Sequence, residues 1–101
     1  MNIRLSEFEI ESIKSLSGHH FGTEVRVFLF GSRADNHQRG GDIDLFIRDP
    51  NREQLKTRTK IDFITDLILL IGEQKIDVVL ENPATKNSGF LQTIYQTAIK
   101  L

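Results

Sequence analysis

Two alternating runs, Asp42 to Arg48 (DIDLFIR) and Lys75 to Glu81 (KIDVVLE), flank a long stretch of helically spaced apolar residues, and together they constrain the fold more than any other feature. Side chains two apart on a strand share a face, so Asp42 and Asp44 point one way while Ile43, Leu45 and Ile47 point the other. In the later run Ile76, Val78 and Leu80 form the matching apolar set, which puts Asp77 on the face of the two earlier aspartates. All three acids stand near the starts of their strands, so only parallel strands set them side by side. The connection from Asp49 to Gln74 has the length and helical pattern of a right-handed parallel crossover, which favours that arrangement on structural grounds alone.

The remaining elements follow from the same reading. Leu5, Phe8, Ile10, Ile13 and Leu16 predict an amphipathic helix over Leu5 to Leu16, with Ser6 and Glu9 spaced as a capping box. Gly18 and Gly22 flank His19-His20 and read as a loop before the first strand, Glu24 to Phe30 (EVRVFLF). Residues 31 to 41 (GSRADNHQRGG) are polar and glycine-rich, a loop that makes the first two strands antiparallel neighbours and brings Gly31 and Ser32 beside Asp42. After the turn Asp49-Pro50-Asn51, Leu55, Ile61, Ile64, Leu67, Ile68 and Ile71 predict a long helix over Arg52 to Ile71, ended by Gly72. Asn82-Pro83 stops the third strand. A last helix is expected from about Ser88 to the end of the sequence, burying Phe90, Leu91, Ile94, Tyr95 and Ile99. The expected fold class is α/β (α+β): a small mixed β-sheet with helices packed on one face, in the order α-β-β-α-β-α, forming a single domain over residues 1 to 101.

Composition narrows the function classes. Thirteen basic against fourteen acidic residues leave a formal net charge of -1, which offers no broad footprint for duplex nucleic acid, so no direct nucleic-acid binding is expected. The chain has no cysteine, which excludes disulfides, thiolate zinc sites and cysteine nucleophiles. The charged N-terminal stretch MNIRLSEFEIESIK reads neither as a signal peptide nor as an anchor. Phe63 to Ile71 is interrupted by Asp66 and falls far short of the roughly 20 residues of a membrane span. A cytoplasmic protein without a membrane role is the expectation.

Three carboxylates on one face raise one another's pKa unless a cation compensates them. Hard oxygen ligands in small number suit Mg²⁺, and two such ions roughly 3.5–4 Å apart can activate a hydroxyl and steady a leaving pyrophosphate. Asp77 is placed either to ligate one ion or to take the proton of the acceptor hydroxyl. Gly31 allows the backbone to approach a phosphate, Ser32 offers an amide and a hydroxyl to its oxygens, and Arg33 or Arg39 offers countercharge.

Phe30-Gly31-Ser32, the spacing to Asp42-Ile43-Asp44 and the later Ile76-Asp77-Val78 resemble the minimal nucleotidyltransferases (MNT) of the DNA polymerase beta superfamily, over about residues 24 to 81. That resemblance implies the nucleotidyltransferase fold and transfer of AMP from ATP to a hydroxyl. It further implies Asp42, Asp44 and Asp77 as metal-binding catalytic residues, contacts of Gly31 and Ser32 with the nucleotide phosphates, and Mg²⁺ as cofactor; Arg33 is the phosphate-binding candidate beside them. Minimal members pair with HEPN-type toxins as antitoxins and adenylylate a tyrosine on the toxin, which makes such a toxin the expected partner. The chain departs from the pattern at Asp35 and Asn36, where many members carry Gly or Arg, and at Gly41, where many carry Ser or Thr.

Two other functions stay open beside this one: a binding module that neutralises its partner by contact with a vestigial site, and a small-molecule nucleotidyltransferase of the aminoglycoside-modifying type. Arg33 and Arg39 read equally well as solvated loop charges. Glu81, on Asp77's parity, suggests a solvated face. His19, His20 and His37 make a poor zinc set, and Tyr95 reads as core. The long helix carries more apolar residues than one sheet face covers, so a homo- or hetero-oligomer contact through residues 52 to 71 is weighed equally with simple core packing.

Overall fold

The computed structural model describes residues 3–34, 41–49, 55–81 and 89–101. In chain order the elements are helix α1 (Glu7–Phe21), strand β1 (Arg26–Phe30), a 3₁₀ turn (Gly31–Ala34), β2 (Ile43–Arg48), α2 (Thr57–Ile71), β3 (Ile76–Leu80), α3 (Gly89–Thr97) and β4 (Ile99–Lys100). The sheet order is β3-β2-β1-β4. β1 runs antiparallel to β2, with Phe30 opposite Asp44, and β2 runs parallel to β3, with Asp44 opposite Asp77. The mixed α/β class and the parallel crossover through α2 are as the alternation predicts.

Helix α1 starts at the expected capping box: the Glu9 N–H donates to Ser6 Oγ at 3.0 Å and the Ser6 N–H donates to Glu9 Oε1 at 2.9 Å. It does not end at Leu16 but continues through Gly18 to Phe21. Glycine inside a helix costs about 1 kcal/mol, whereas burying a phenylalanine gains about 1.5–3 kcal/mol. Phe21 is fully buried with its ring 5.4 Å from that of Phe63, so packing outweighs propensity, and His19-His20 are helical rather than looped. The helix stops at Gly22, whose φ of 113° lets its N–H return to Gly18 O at 3.1 Å. Helix α2 ends at Gly72 as expected but begins at Thr57, with Lys56 an extended N-cap, so the expected helix does not cover 55 and 56; residues 52 to 54 lie outside the described residues.

Further expectations need correction. The last helix does not reach the end of the sequence. It ends at Thr97, and Ile99–Lys100 form β4 against β1, with Leu101 N donating to Val27 O at 2.9 Å. The outer edge of β1 would otherwise leave backbone donors and acceptors unpaired, and a branched residue such as Ile99 suits a strand as well as a helix. The helices also do not all share one face. α1 and α2 cover Val27, Leu29, Ile43, Leu45, Ile47, Ile76 and Val78, burying Ile13, Phe21, Phe63 and Leu67 against them. Ile94 of α3 instead packs on the opposite face, against Phe46, with Phe28, Phe30, Val79 and Ala98 around it. That second face is apolar at Phe28 and Phe46 and therefore demands its own cover. The side chains of Phe90, Leu91 and Tyr95 lie outside the described residues.

Glu81 is not part of a solvated face. Its side chain is 4% exposed and accepts from Arg48 Nε at 2.9 Å, while its N–H donates to Ile47 O at 3.0 Å. The pair fastens the far ends of β2 and β3 and leaves their starting ends, where the three aspartates stand, open.

Candidate functional site

β2 and β3 carry their acids at the same height because their register pairs Asp44 with Asp77. Asp42 precedes β2, and the Ile43 N–H donates to Lys75 O at 3.1 Å, which ties the two strand starts together. Carboxylate oxygens of Asp42, Asp44 and Asp77 all lie within 4.8 Å of one another. Asp42 and Asp44 are half-buried and Asp77 is exposed, so the group opens to solvent on the Asp77 side.

The Asp44 carboxyl is pushed above the ordinary aspartate range, first by burial, then by the charges of Asp77 and Asp42 and a hydrogen bond shared with Asp77; the Lys75 ammonium opposes this. Such a set of acids is poised for a cation. Oxygens bound to one Mg²⁺ at about 2.0–2.1 Å are about 3–4 Å apart, so a spacing of up to 4.8 Å closes onto one ion, or spans two, with small side-chain rotations. The donor set, all hard oxygen, fits Mg²⁺.

Gly31 sits where β1 ends, at φ 74°. A Cβ there would overlap Asp44 Oδ2, so the close approach of backbone to carboxylate requires glycine. Its neighbour in the site is therefore Asp44 rather than the Asp42 expected. Ser32 belongs to the same turn, and its side chain lies outside the described residues. So do Arg39, His37, Asp35 and Asn36.

Arg33 faces inward. Nη1 donates to Arg4 O at 2.9 Å, Nε to Gly41 O at 3.3 Å and Nη2 to Gln74 Oε1 at 3.5 Å, while Arg33 O accepts from Arg4 N at 2.9 Å. Gln74 Nε2 in turn donates to Glu9 Oε2 at 3.0 Å. The guanidinium thus braces the backbone just before Asp42 against the loop before β3 and the start of α1. Burial pushes the Glu9 carboxyl up, but the Ser6 N–H, the Gln74 amide, the Ser6 hydroxyl and the Arg33 charge outweigh it and hold Glu9 below the usual carboxylate range. Gly41 has φ 92° and presents its carbonyl to Arg33.

Lys75 also belongs to the site, though no motif marks it. Its Nζ lies 3.4 Å from Asp42 Oδ2. The available signal was parity: Lys75 stands two before Asp77 and therefore shares its face. Gln74 and Glu9 carried no such signal, because their meeting depends on how α1 packs. His20 joins the helices, its Nε2 2.8 Å from Asp66 Oδ2 and its ring edge-on to Phe63.

No curated protein matches the sequence. A family model described as nucleotidyltransferase domain matches residues 10–100, nearly the whole chain and all of the carboxylate site. On that match, and with the sheet and the aspartates arranged as described, the chain belongs to the nucleotidyltransferase domain family.

Proposed function

We propose that this protein is a Mg²⁺-dependent adenylyltransferase that moves AMP from ATP to a hydroxyl, with a tyrosine of a HEPN-type partner as acceptor and an antitoxin role in that pair. The observation that carries the reading is the convergence of Asp42, Asp44 and Asp77 beside Gly31. Divalent cations held there supply Lewis-acid stabilisation of the charge on the phosphates and leaving group. Asp42, just ahead of β2, and Asp44, fixed by its pairing with β3, are half-buried and act as the principal ligands. Asp77 faces solvent and thus the incoming acceptor, where it completes the ligand set or takes the hydroxyl proton. In the transfer the acceptor oxygen forms a bond to the α-phosphorus as the bond to the β-bridging oxygen breaks, and pyrophosphate leaves with that electron pair. The Gly31 turn keeps the backbone free of a side chain where the phosphates approach. Arg33, committed to Arg4, Gly41 and Gln74, contributes by holding the loop rather than by touching phosphate.

A contact role for the same protein is favoured by α2, which presents Ile61, Leu70 and Leu69, the last 79% exposed. We assign the outer side of α2, at Ile61 and Leu69, to the partner. One experiment separates the readings. The protein, or its Asp42→Asn/Asp44→Asn variant, is incubated with Mg²⁺, ATP labelled at the α-phosphate, and the product of the neighbouring gene. Label on the partner's tyrosine, lost in the variant, is the expected result. A tight unlabelled complex with both forms would replace the enzyme with a binding module, and label on an added amino alcohol alone would make it a small-molecule transferase.

A further inference from the structure

The parallel pairing of β2 and β3 places four charged groups, not three, at the mouth of the site. Continuing the Ile43–Ile76 register back by one position sets Asp42 opposite Lys75, just as Asp44 stands opposite Asp77. Alternation then puts all four on one face. Lys75 Nζ lies 3.4 Å from Asp42 Oδ2, and the Lys75 side chain is 72% exposed. An ion pair so exposed is weak and readily exchanged. Among the described residues, Arg33, which holds the loop before Asp42, is engaged by two carbonyls and Gln74.

We propose that Lys75 is a polyphosphate-binding residue, resting on Asp42 in the metal-free protein and passing to the triphosphate chain of the nucleotide when the carboxylates hold their cations. The inference rests on the metal-binding reading of the three aspartates. Its physical ground is a change of sign. Without metal, the ammonium is the countercharge that the acidic group draws to itself. The three carboxylates of Asp42, Asp44 and Asp77 carry three negative charges, and two divalent cations bring four positive ones, so the loaded group repels the ammonium that the empty one attracts. The ammonium must then find another anion, and the triphosphate arriving at the same cations is the nearest large one. A compact charge on a flexible four-carbon stem suits that transfer, and lysine binds phosphate as a point charge without the fixed fork of arginine.

Two binding measurements on Lys75→Met are expected to move in opposite directions. Mn²⁺ alone, followed by its spin-resonance signal, should bind about threefold more tightly, because a competing cation has gone. A non-hydrolysable ATP analogue at saturating Mg²⁺ should bind about tenfold more weakly, the loss of one charge-assisted bond. Lys75→Arg should stay close to wild type in both. The proposal is overturned if Lys75→Met leaves the analogue's affinity unchanged, whatever happens to Mn²⁺, or if it weakens both ligands together, as general damage to the site would. If the wild type binds Mn²⁺ no better than Asp42→Asn/Asp44→Asn, the metal reading itself fails and takes this inference with it. Normal wild-type binding with an indifferent Lys75→Met sinks the lysine's role alone.

Discussion

At Asp44, burial and the charges of Asp77 and Asp42 hold the carboxyl above its ordinary range. Its folded-state pKa is raised over the unfolded value, so its contribution to stability is fully present below the unfolded pKa and is lost as pH rises through the folded one. At neutral pH the metal-free protein therefore carries a penalty that a neutral side chain relieves. Asp44→Asn is expected to melt higher than wild type in chelator at pH 7, to gain nothing on adding Mg²⁺, and to lose activity on the order of 10³-fold. Calorimetric melts with and without Mg²⁺ check the first two outcomes. Protons and cations compete for the same oxygens, so Mg²⁺ stabilisation of the wild type should shrink as pH falls into the raised range of Asp44. Gly31→Ala tests the close approach directly. A left-handed alanine costs about 1–2 kcal/mol, and its methyl displaces Asp44, so urea denaturation should show that loss together with weakened Mn²⁺ binding.

Between elements, Arg33 has the widest reach. Its guanidinium joins the segment before α1, the loop ahead of β2 and the loop ahead of β3, through Arg4, Gly41 and Gln74. Arg33→Lys keeps the charge and loses the planar fork, whereas Arg33→Met loses both. If the residue works by bracing the peptide before Asp42, the two variants should weaken Mn²⁺ binding alike, severalfold, with no nucleotide present. A lysine variant equal to wild type would show that charge alone matters. Helix α1 displays the same dependence on its neighbours. Its start is local, a capping box within four residues, but its end is decided by Phe21 packing on Phe63.

For the whole molecule, the sheet has two covered faces with different tasks. α1 and α2 make the larger core on one, while α3 closes the Phe46 end of the other and leaves the Asp42, Asp44 and Asp77 end open. Both covers are needed, and Leu67→Ala and Ile94→Ala should each cost about 2–5 kcal/mol in urea denaturation. A much smaller loss at Ile94 would mean that α3 is dispensable to the fold. Among the described residues no helix is long and apolar enough to cross a membrane.

The three strands that carry or adjoin the acids, their relative directions and the common face of the aspartates were legible in the sequence, because alternation and crossover length are local properties of the chain. The capping box and the glycine ends of the helices were legible for the same reason. What only the tertiary structure decided were the contacts between distant segments: the extension of α1 through Gly18, the return of Ile99–Lys100 to the edge of β1, α3 on the opposite face, the burial of Glu81 by Arg48, and the inward turn of Arg33. Each of these trades a weak local preference for buried area or a satisfied backbone group, and neither quantity exists until the partner segment has arrived.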